Sequence, residues 1–433
     1  MYRNAPIHPF LRFIYLFLRV TSWVGISVFY RRRVVLGKEN LHFDGPAIVV
    51  VNHPSTLMDV LNTCVHIRQE CFFLANYGLF KHPVSRWFFS RLYCIPVKRR
   101  EDVAEGEARN NDAAFEKSFQ HLEKNGLLFI AAEGVSWMER WVRPFKTGTA
   151  RIAFGAETRN QWQLGVKILP VGLSYSAPNL FRSEVIVNFG KPIDAAEWAQ
   201  KEAASHEEAV EAFTQEIQTK VQALVLDTGN EAGQVFAEQL ESLKKEAFPE
   251  GRSAYFEYRK KLLENNLGNQ DLSAKTANYF ASLKEAKISN EGLAQSAKPG
   301  QQASDLVVLL LGLPVFLLGL LFWFLPCYLP WLLAKKLNLY VGYDSNVKML
   351  AGLFTFPLGL WALFTLAATG MGAAVWGWLA ILAAAATGFW VEFYLDCWKR
   401  WRALGQVKNA RAQNPLELDR LEKLRQELLQ EIH

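Results

Sequence analysis

Between Leu306 and Ala334 the chain carries no charged side chain, and between Met349 and Val391 it carries none again. A helix needs about 20 predominantly apolar residues to cross a bilayer. The first run is therefore long enough for one crossing and the second for two, with Gly370-Met371-Gly372 as the reversal between its halves. Such runs exclude a single water-soluble globule. They divide the chain into a soluble-looking body up to about residue 300, a membrane module and a charged tail. Composition agrees: half of the 433 residues are apolar and 21% are charged, so the two kinds are segregated along the chain.

The net charge of +6 suits either nucleic acid or an anionic membrane surface. The apolar runs select the membrane, and no nucleic-acid partner is expected. Arg31-Arg32-Arg33, Lys335-Lys336 and Lys399-Arg400-Trp401-Arg402 lie beside apolar segments, in the juxtamembrane pattern. Near the N-terminus, Phe10 to Tyr30 is apolar but contains Arg12 and Arg19 and shows no small-residue cleavage site. A buried arginine is costly inside lipid, so an interfacial helix is expected there rather than a span. Cys64, Cys71, Cys94, Cys327 and Cys397 show neither paired nor metal-ligand spacing, which suits a reduced, cytosol-facing body without a metal.

From about residue 45 to 195, short β-branched or aromatic runs alternate with helix-like segments. "AIVVVN" (47–52), "CFFLAN" (71–76), "LYCIPV" (92–97), "LLFIAA" (127–132), "VKILPVGLSY" (166–175) and "EVIVNFG" (184–190) read as strands, and 110–125 as a helix ending at Gly126. Near-continuous apolar strands are buried on both faces. The predicted fold class is α/β: a mixed or mostly parallel sheet covered by helices, with its site at strand ends, followed by a C-terminal transmembrane helical module. Beyond residue 198, Ser205 and Glu208 form a capping-box signature, and Val210, Phe213, Ile217, Val221 and Leu224 share one helix face. Helical sequence continues to about 285, "EGLAQSAKPGQQAS" reads as a linker, and the tail carries Leu421, Leu424 and Leu428 on one face of an amphipathic helix.

Three places can hold chemistry. Asn52-His53 ends an apolar strand, and Pro54 and Ser55 can open a helix that carries Asp59. His53 is then either a strand-end histidine bonded to local backbone or a base whose ring Asp59 orients. Lys98, Arg99 and Arg100 follow another strand. They read as a phosphate site or as a solvated cluster pairing with Glu101 and Asp102. In "FIAAEGVSWMERWVRPFKTGTARIA" a strand runs into Glu133-Gly134, where Glu133 can receive polyol hydroxyls. A helix then opens near Gly148 and Thr149, whose amides with Lys146 and Arg151 suit an anion. "GLSYS" (172–176) lacks the last glycine of a nucleophile elbow, and no zinc, Walker or dinucleotide motif appears.

In order and spacing, "NHPSTLMD", "IPVKRR", "AAEGVS…RPFKTGTARIA" and "ILPVGLS", completed by "VNFGKPI", resemble the four blocks of the glycerolipid (PlsC-like) phosphate acyltransferase family over about residues 35 to 225. The resemblance implies that His53 and Asp59 are catalytic. It assigns acceptor binding to Lys98, Arg99, Glu133, Gly134 and Lys146, beside the anion site already read at Gly148 and Arg151. The implied reaction moves an acyl group from acyl-CoA or an acyl-carrier protein, as co-substrate and without a cofactor, to a hydroxyl of glycerol-3-phosphate or a related glycerol phosphate. Lysophosphatidate acylation and lysophospholipid remodelling are the alternatives within enzymes, and a silent lipid-phosphate-binding scaffold is the alternative outside them. Five residues separate His53 from Asp59 where four are commoner in the family, which resembles the glycerol-3-phosphate or dihydroxyacetone-phosphate branch. Val135 replaces a threonine of the usual third block.

The expected organisation is an N-terminal membrane-associated helix (1–34), an acyltransferase domain (35–225), a helical appendage and linker (226–304), a transmembrane module (305–398) and an amphipathic tail (399–433). The catalytic domain is expected on the cytoplasmic face of the bilayer. One crossing by 306–334 would put the basic 335–348 loop opposite that domain, against the positive-inside rule. Pro314, Pro326 and Pro330 offer another route, a segment that bends and re-enters so that body, loop and tail share one face.

Overall fold

The computed structural model describes residues 9–83, 86–87, 89, 93–98, 111–298 and 300–433. It divides into two compact units. One runs to Gly229 and includes Tyr340–Asn346; the other comprises Asn230–Leu339 and Val347–His433.

In the first unit, α1 (Pro9–Phe29) leads into β1 (Arg32–Leu36), then β2 (Ala47–Val51), α2 (Leu57–Cys64), β3 (Cys71–Asn76) and β4 (Cys94–Val97). There follow α3 (Asp112–Glu123), β5 (Leu127–Ala131), α4 (Gly148–Arg159), β6 (Lys167–Tyr175), β7 (Glu184–Phe189), β8 (Ile193–Asp194), α5 (Ala199–Ala204) and α6 (His206–Gln222). Among the described residues the sheet has the order β1-β7-β6-β2-β5-β3-β4, with β8 also on β6. β2 runs parallel to both neighbours, β5 and β6, while β6 is antiparallel to β7 and β8. A strand flanked on both edges and covered on both faces must be apolar throughout, and all five residues of β2 are buried. Ile48 and Val50, on one pleat, pack with Leu122 of α3, Ile152 and Phe154 of α4 and Phe213, Ile217 and Val221 of α6.

Two local readings change. Arg32 and Arg33, which follow shortly after α1, are not loop cations; they open β1, an edge strand whose unpaired side tolerates charge. Ser205 caps α6 by backbone geometry alone, without the side-chain hydrogen bond of the expected capping box. The two arginines of the apolar α1 are satisfied by protein. Arg12 Nε lies 3.0 Å from Glu70 Oε1, and Arg19 Nη1 donates to the carbonyls of Ile67 and Arg68, each at 3.2 Å. Phe10, Phe13, Phe17, Val20 and Trp23 of α1 are exposed.

The second unit contains α7 (Glu231–Lys244), α8 (Arg252–Asn266), α9 (Gln270–Glu285), α10 (Asn290–Ser296), α11 (Gln301–Leu337), most of α12 (Asp344–Gly370), α13 (Ala374–Gln413) and α14 (Pro415–Glu431). α10 stands where the composition predicts a linker. Ser289 Oγ accepts from Gly292 N at 3.1 Å, and the bare Gly292 admits Ala403 of α13. The tail helix α14 buries Leu421 and Leu428 with Phe236 and Leu240 of α7, and Leu424 packs at the margin.

α1, α11, α12 and α13 are long and apolar enough to cross a membrane by length and composition. Gly372, at φ +74°, makes the turn between α12 and α13. α11 continues as one helix through Pro314, Pro326 and Pro330. Proline removes the bond to the carbonyl four residues earlier; for Pro330 that is Pro326 O, which instead accepts from Thr355 Oγ1 at 3.0 Å. α11 and α13 pair antiparallel: Asp305 binds Arg400, Tyr394 Oη donates to Leu309 O, and Trp323 Nε1 donates to Ala384 O at 2.8 Å. Arg400 of the tail-side basic cluster is thus held by a buried aspartate.

Candidate active site

The site forms at the carboxyl ends of β2, β5 and β6. Asn52, directly after β2, is clamped to β6: its Nδ2 donates to Leu173 O at 2.9 Å and its Oδ1 accepts from Leu173 N at 2.8 Å. That fixes where the chain leaves the sheet. His53 follows, and its Nδ1 lies 2.9 Å from Asp59 Oδ2. A carboxylate only accepts, so Nδ1 carries the proton and Nε2 is left able to take one.

Asp59, in the first turn of α2, is completely buried. It accepts from Ser55 N at 2.8 Å and from Tyr175 Oη at 2.8 Å as well as from His53. Three donors compensate the cost of burying the charge and fix its direction. The ring is thus bonded to Asp59, the contact that a base with an orienting carboxylate requires. A strand-end histidine bonded only to local backbone is not what the fold builds.

Continuing the β2–β5 register past Val51 and Ala131 sets His53 opposite Glu133, one strand spacing away. Burial raises the Glu133 carboxyl from 4.5 to about 8; the amides of His53 and Arg143 pull it down, and the Asp59 charge adds to the rise. Near neutrality Glu133 is thus largely a neutral acid that can donate a hydrogen bond. Gly134 turns the chain at φ +78°, where any side chain is strained. Lys146 N donates to Ala132 O at 2.8 Å, which brings the Lys146 stem against Gly134. Ser136 Oγ accepts from Thr56 N at 3.0 Å, and Trp137 N donates to His53 O at 3.2 Å, so the third block is laced to the first.

The remaining predicted binding residues lie further out. Gly148 opens α4, whose N-terminus has no side-chain cap. Arg151 is taken up by Glu207, with Nη2 to Oε2 at 2.6 Å. The Lys98 backbone is fixed by the Asn111 side chain, whose Oδ1 accepts from Lys98 N and whose Nδ2 donates to Lys98 O, and the Lys98 Nζ lies over the Tyr77 ring at 5.5 Å. It follows β4, three strands from β2, about 14 Å at the usual strand spacing. Arg99 and Arg100, with Glu101 and Asp102, lie outside the described residues.

Sequence reasoning missed Tyr175, Asn52, Ser136 and Arg143. Arg143 is held bidentately by Glu139, at 2.6 and 2.7 Å, and lies 4.5 Å over the Trp137 ring. "GLSYS", set aside as a failed nucleophile elbow, has a structural purpose. Gly172 admits the backbone of Leu224, whose carbonyl oxygen would sit 2.4 Å from a Cβ, and Tyr175 reaches Asp59. A tyrosine at a strand end was the available signal.

Comparison with known proteins fits this geometry. Residues 32–174 match the family model described as Acyltransferase. Glycerol-3-phosphate O-acyltransferase 1 of Saccharomyces cerevisiae is 34% identical over 85 residues, 20% of this chain and 11% of that protein. The chloroplastic 1-acyl-sn-glycerol-3-phosphate acyltransferase BAT2 of Brassica napus is 29% identical over 171 residues, 39% of this chain and 45% of that protein. The chain thus spans less than half the length of either curated relative. The solved structure of the 1-acyl-sn-glycerophosphate acyltransferase PlsC from Thermotoga maritima aligns with 49% of this chain and 80% of its own, at 21% identity and a TM-score of 0.36. Residues 32–174, with His53 and Asp59 near their start, are thus an acyltransferase-like domain similar to those of glycerolipid acyltransferases.

Proposed function

We propose that the protein is a membrane-bound O-acyltransferase that moves a fatty acyl group from acyl-CoA or an acyl-carrier protein to a hydroxyl of glycerol-3-phosphate. The observation that carries this reading is the His53 Nδ1–Asp59 Oδ2 contact of 2.9 Å, with Asp59 buried and triply bonded. His53 Nε2 removes the hydroxyl proton as the oxygen attacks the thioester carbonyl. The tetrahedral intermediate then collapses, the C–S bond breaks, and the imidazolium returns its proton to the departing thiolate. No acyl-enzyme forms. Glu133 and Gly134 receive the glycerol part, and Lys98, Arg99 and Lys146, with the open N-terminus at Gly148, receive the phosphate; Arg151 contributes through its pair with Glu207.

Lysophosphatidate is the second reading for the acceptor. It is favoured by the longer match to the Brassica napus protein, whose name carries that substrate. The deciding assay offers each acceptor with acyl-CoA and with acyl-carrier protein to membranes holding wild type or His53→Ala. Histidine-dependent product names the acceptor. A folded wild type that is inactive with every pair would leave lysophospholipid remodelling or the silent scaffold.

We infer a one-sided, cytoplasmic placement. The chain leaves the catalytic unit after Gly229 and rejoins it at Tyr340–Asn346, and between these points α11 is the only candidate span among the described residues. A single crossing would put part of one folded unit across the bilayer from the rest. This supports α11 lying along the catalytic face rather than crossing; as one continuous helix it does not bend back on itself. The exposed Phe10, Phe13, Phe17 and Trp23 of α1 would rest in the same leaflet.

A further inference from the structure

Thr56, inside the His53–Asp59 motif, has φ +48° and ψ −119°. Those angles suit the second residue of a type II′ turn, a place for glycine, and they are an outlier for a β-branched residue. The turn is real: Met58 N donates to Ser55 O at 3.0 Å. It also has a task, because its shape aims Ser55 N at Asp59 Oδ2, 2.8 Å away, and so helps set the carboxylate that orients His53. A strained residue persists only where its surroundings over-determine it.

Those surroundings come largely from the far end of the chain. Thr56 N is held by Ser136, but the Thr56 side chain is held by Gly342, just before α12, and by Asn346 in the first turn of α12. Thr56 Oγ1 donates to Gly342 O at 3.3 Å and accepts from Asn346 Nδ2. Ser55 Oγ lies 3.5 Å from Ser345 Oγ. Ser345 and Asn346 are themselves buried, so these contacts are shielded from water.

We propose that Tyr340–Asn346 is a positioning element of the active site, in which Asn346, with Gly342 and Ser345, holds the Thr56 turn so that Asp59 and His53 are set for proton transfer. The fifth residue between His53 and Asp59 is accommodated by a turn that Gly342 and the first turn of α12 keep closed. The proposal rests on the acyl-transfer reading of the same site and adds to it a dependence on the membrane module.

The test is a double-mutant cycle in the full-length protein, reading kcat and KM for acyl transfer together with amide hydrogen exchange over Ser55–Asp59. Asn346→Ala is expected to lower kcat about tenfold or more while KM changes less than about twofold, and to speed exchange at Thr56 and Met58. In a Thr56→Gly background the same change is expected to alter kcat by less than about twofold, because glycine adopts the turn unaided. Losses that multiply, or an Asn346→Ala protein with wild-type kcat and exchange, would overturn the proposal. If wild type transfers no acyl group, the acyl-transfer reading falls while the exchange comparison still decides whether the segment holds the turn. If Asn346→Ala does not fold, the Thr56→Gly pair decides by the same two readouts.

Discussion

Replacing Glu133 by glutamine isolates one buried ionisation. The Glu133 carboxyl is raised from 4.5 to about 8, chiefly by burial. In the unfolded chain it ionises near 4.5, so between these values the folded form holds a proton that the unfolded form has lost. Stability therefore falls as pH rises through this window, begins to fall near 4.5 and levels off above about 8. The width is 8 − 4.5 = 3.5 pH units. At about 1.4 kcal/mol per unit, and with the ends of the window rounded off, wild type should lose about 4 kcal/mol between pH 5 and 9 from this group alone. At about 2–4 °C per kcal/mol for a domain of this size, the expected fall in melting temperature is on the order of 10 °C. Glutamine keeps an oxygen for the His53 and Arg143 amides and has no proton to lose. Melting followed by tryptophan fluorescence at pH 5, 7 and 9 should show wild type and Glu133→Gln converging at pH 5, with the variant more stable by that margin at pH 9. Parallel curves would refute the argument, since they would mean that the carboxyl is not held neutral.

Asp59→Asn can present an amide N–H to His53 Nδ1 and so impose the wrong tautomer; kcat should fall on the order of a thousandfold with the fold retained, as checked by melting and steady-state kinetics. Tyr175→Phe leaves Asp59 Oδ1 buried without that donor and should cost about 1–3 kcal/mol in denaturant unfolding. In a cysteine-free background, Val341→Cys and Lys191→Cys should react with an impermeant maleimide from the same side of sealed vesicles; opposite sides would end the one-sided placement. Phe13→Glu with Phe17→Glu should weaken recovery of α1 peptides in the bilayer-protected fraction without changing kcat in detergent.

Much of the fold was legible because burial on both faces leaves a plain mark. β2, β3, β5, β6 and β7 coincide with the apolar runs to within a residue or two at their ends. β1 was not legible, since an edge strand can carry Arg32 and Arg33 and then looks like a juxtamembrane cluster. In the site, His53, Asp59 and Glu133 were readable because their relation is local or lies one strand apart. Tyr175 is 116 residues from Asp59, and Ser136 is 80 from Thr56. Pairings at such separations are created by topology, and no periodicity announces them. The long apolar helices α11, α12 and α13 were readable from the absence of charge, but nothing in the basic stretch between the first two announces that it packs on Thr56.

That connection also bears on timing. Asn346 and Thr56 are 290 residues apart. At the usual 5–20 residues per second of synthesis, the ribosome needs roughly 15–60 s after making Thr56 before Asn346 exists. During that interval the sheet and helices of the catalytic domain can form, yet the turn at Thr56 stands without its keeper. On the proposed reading, a nascent chain holds the outline of the site before it holds the segment that keeps the Thr56 turn closed, and that turn closes only once α11 and the start of α12 have been made.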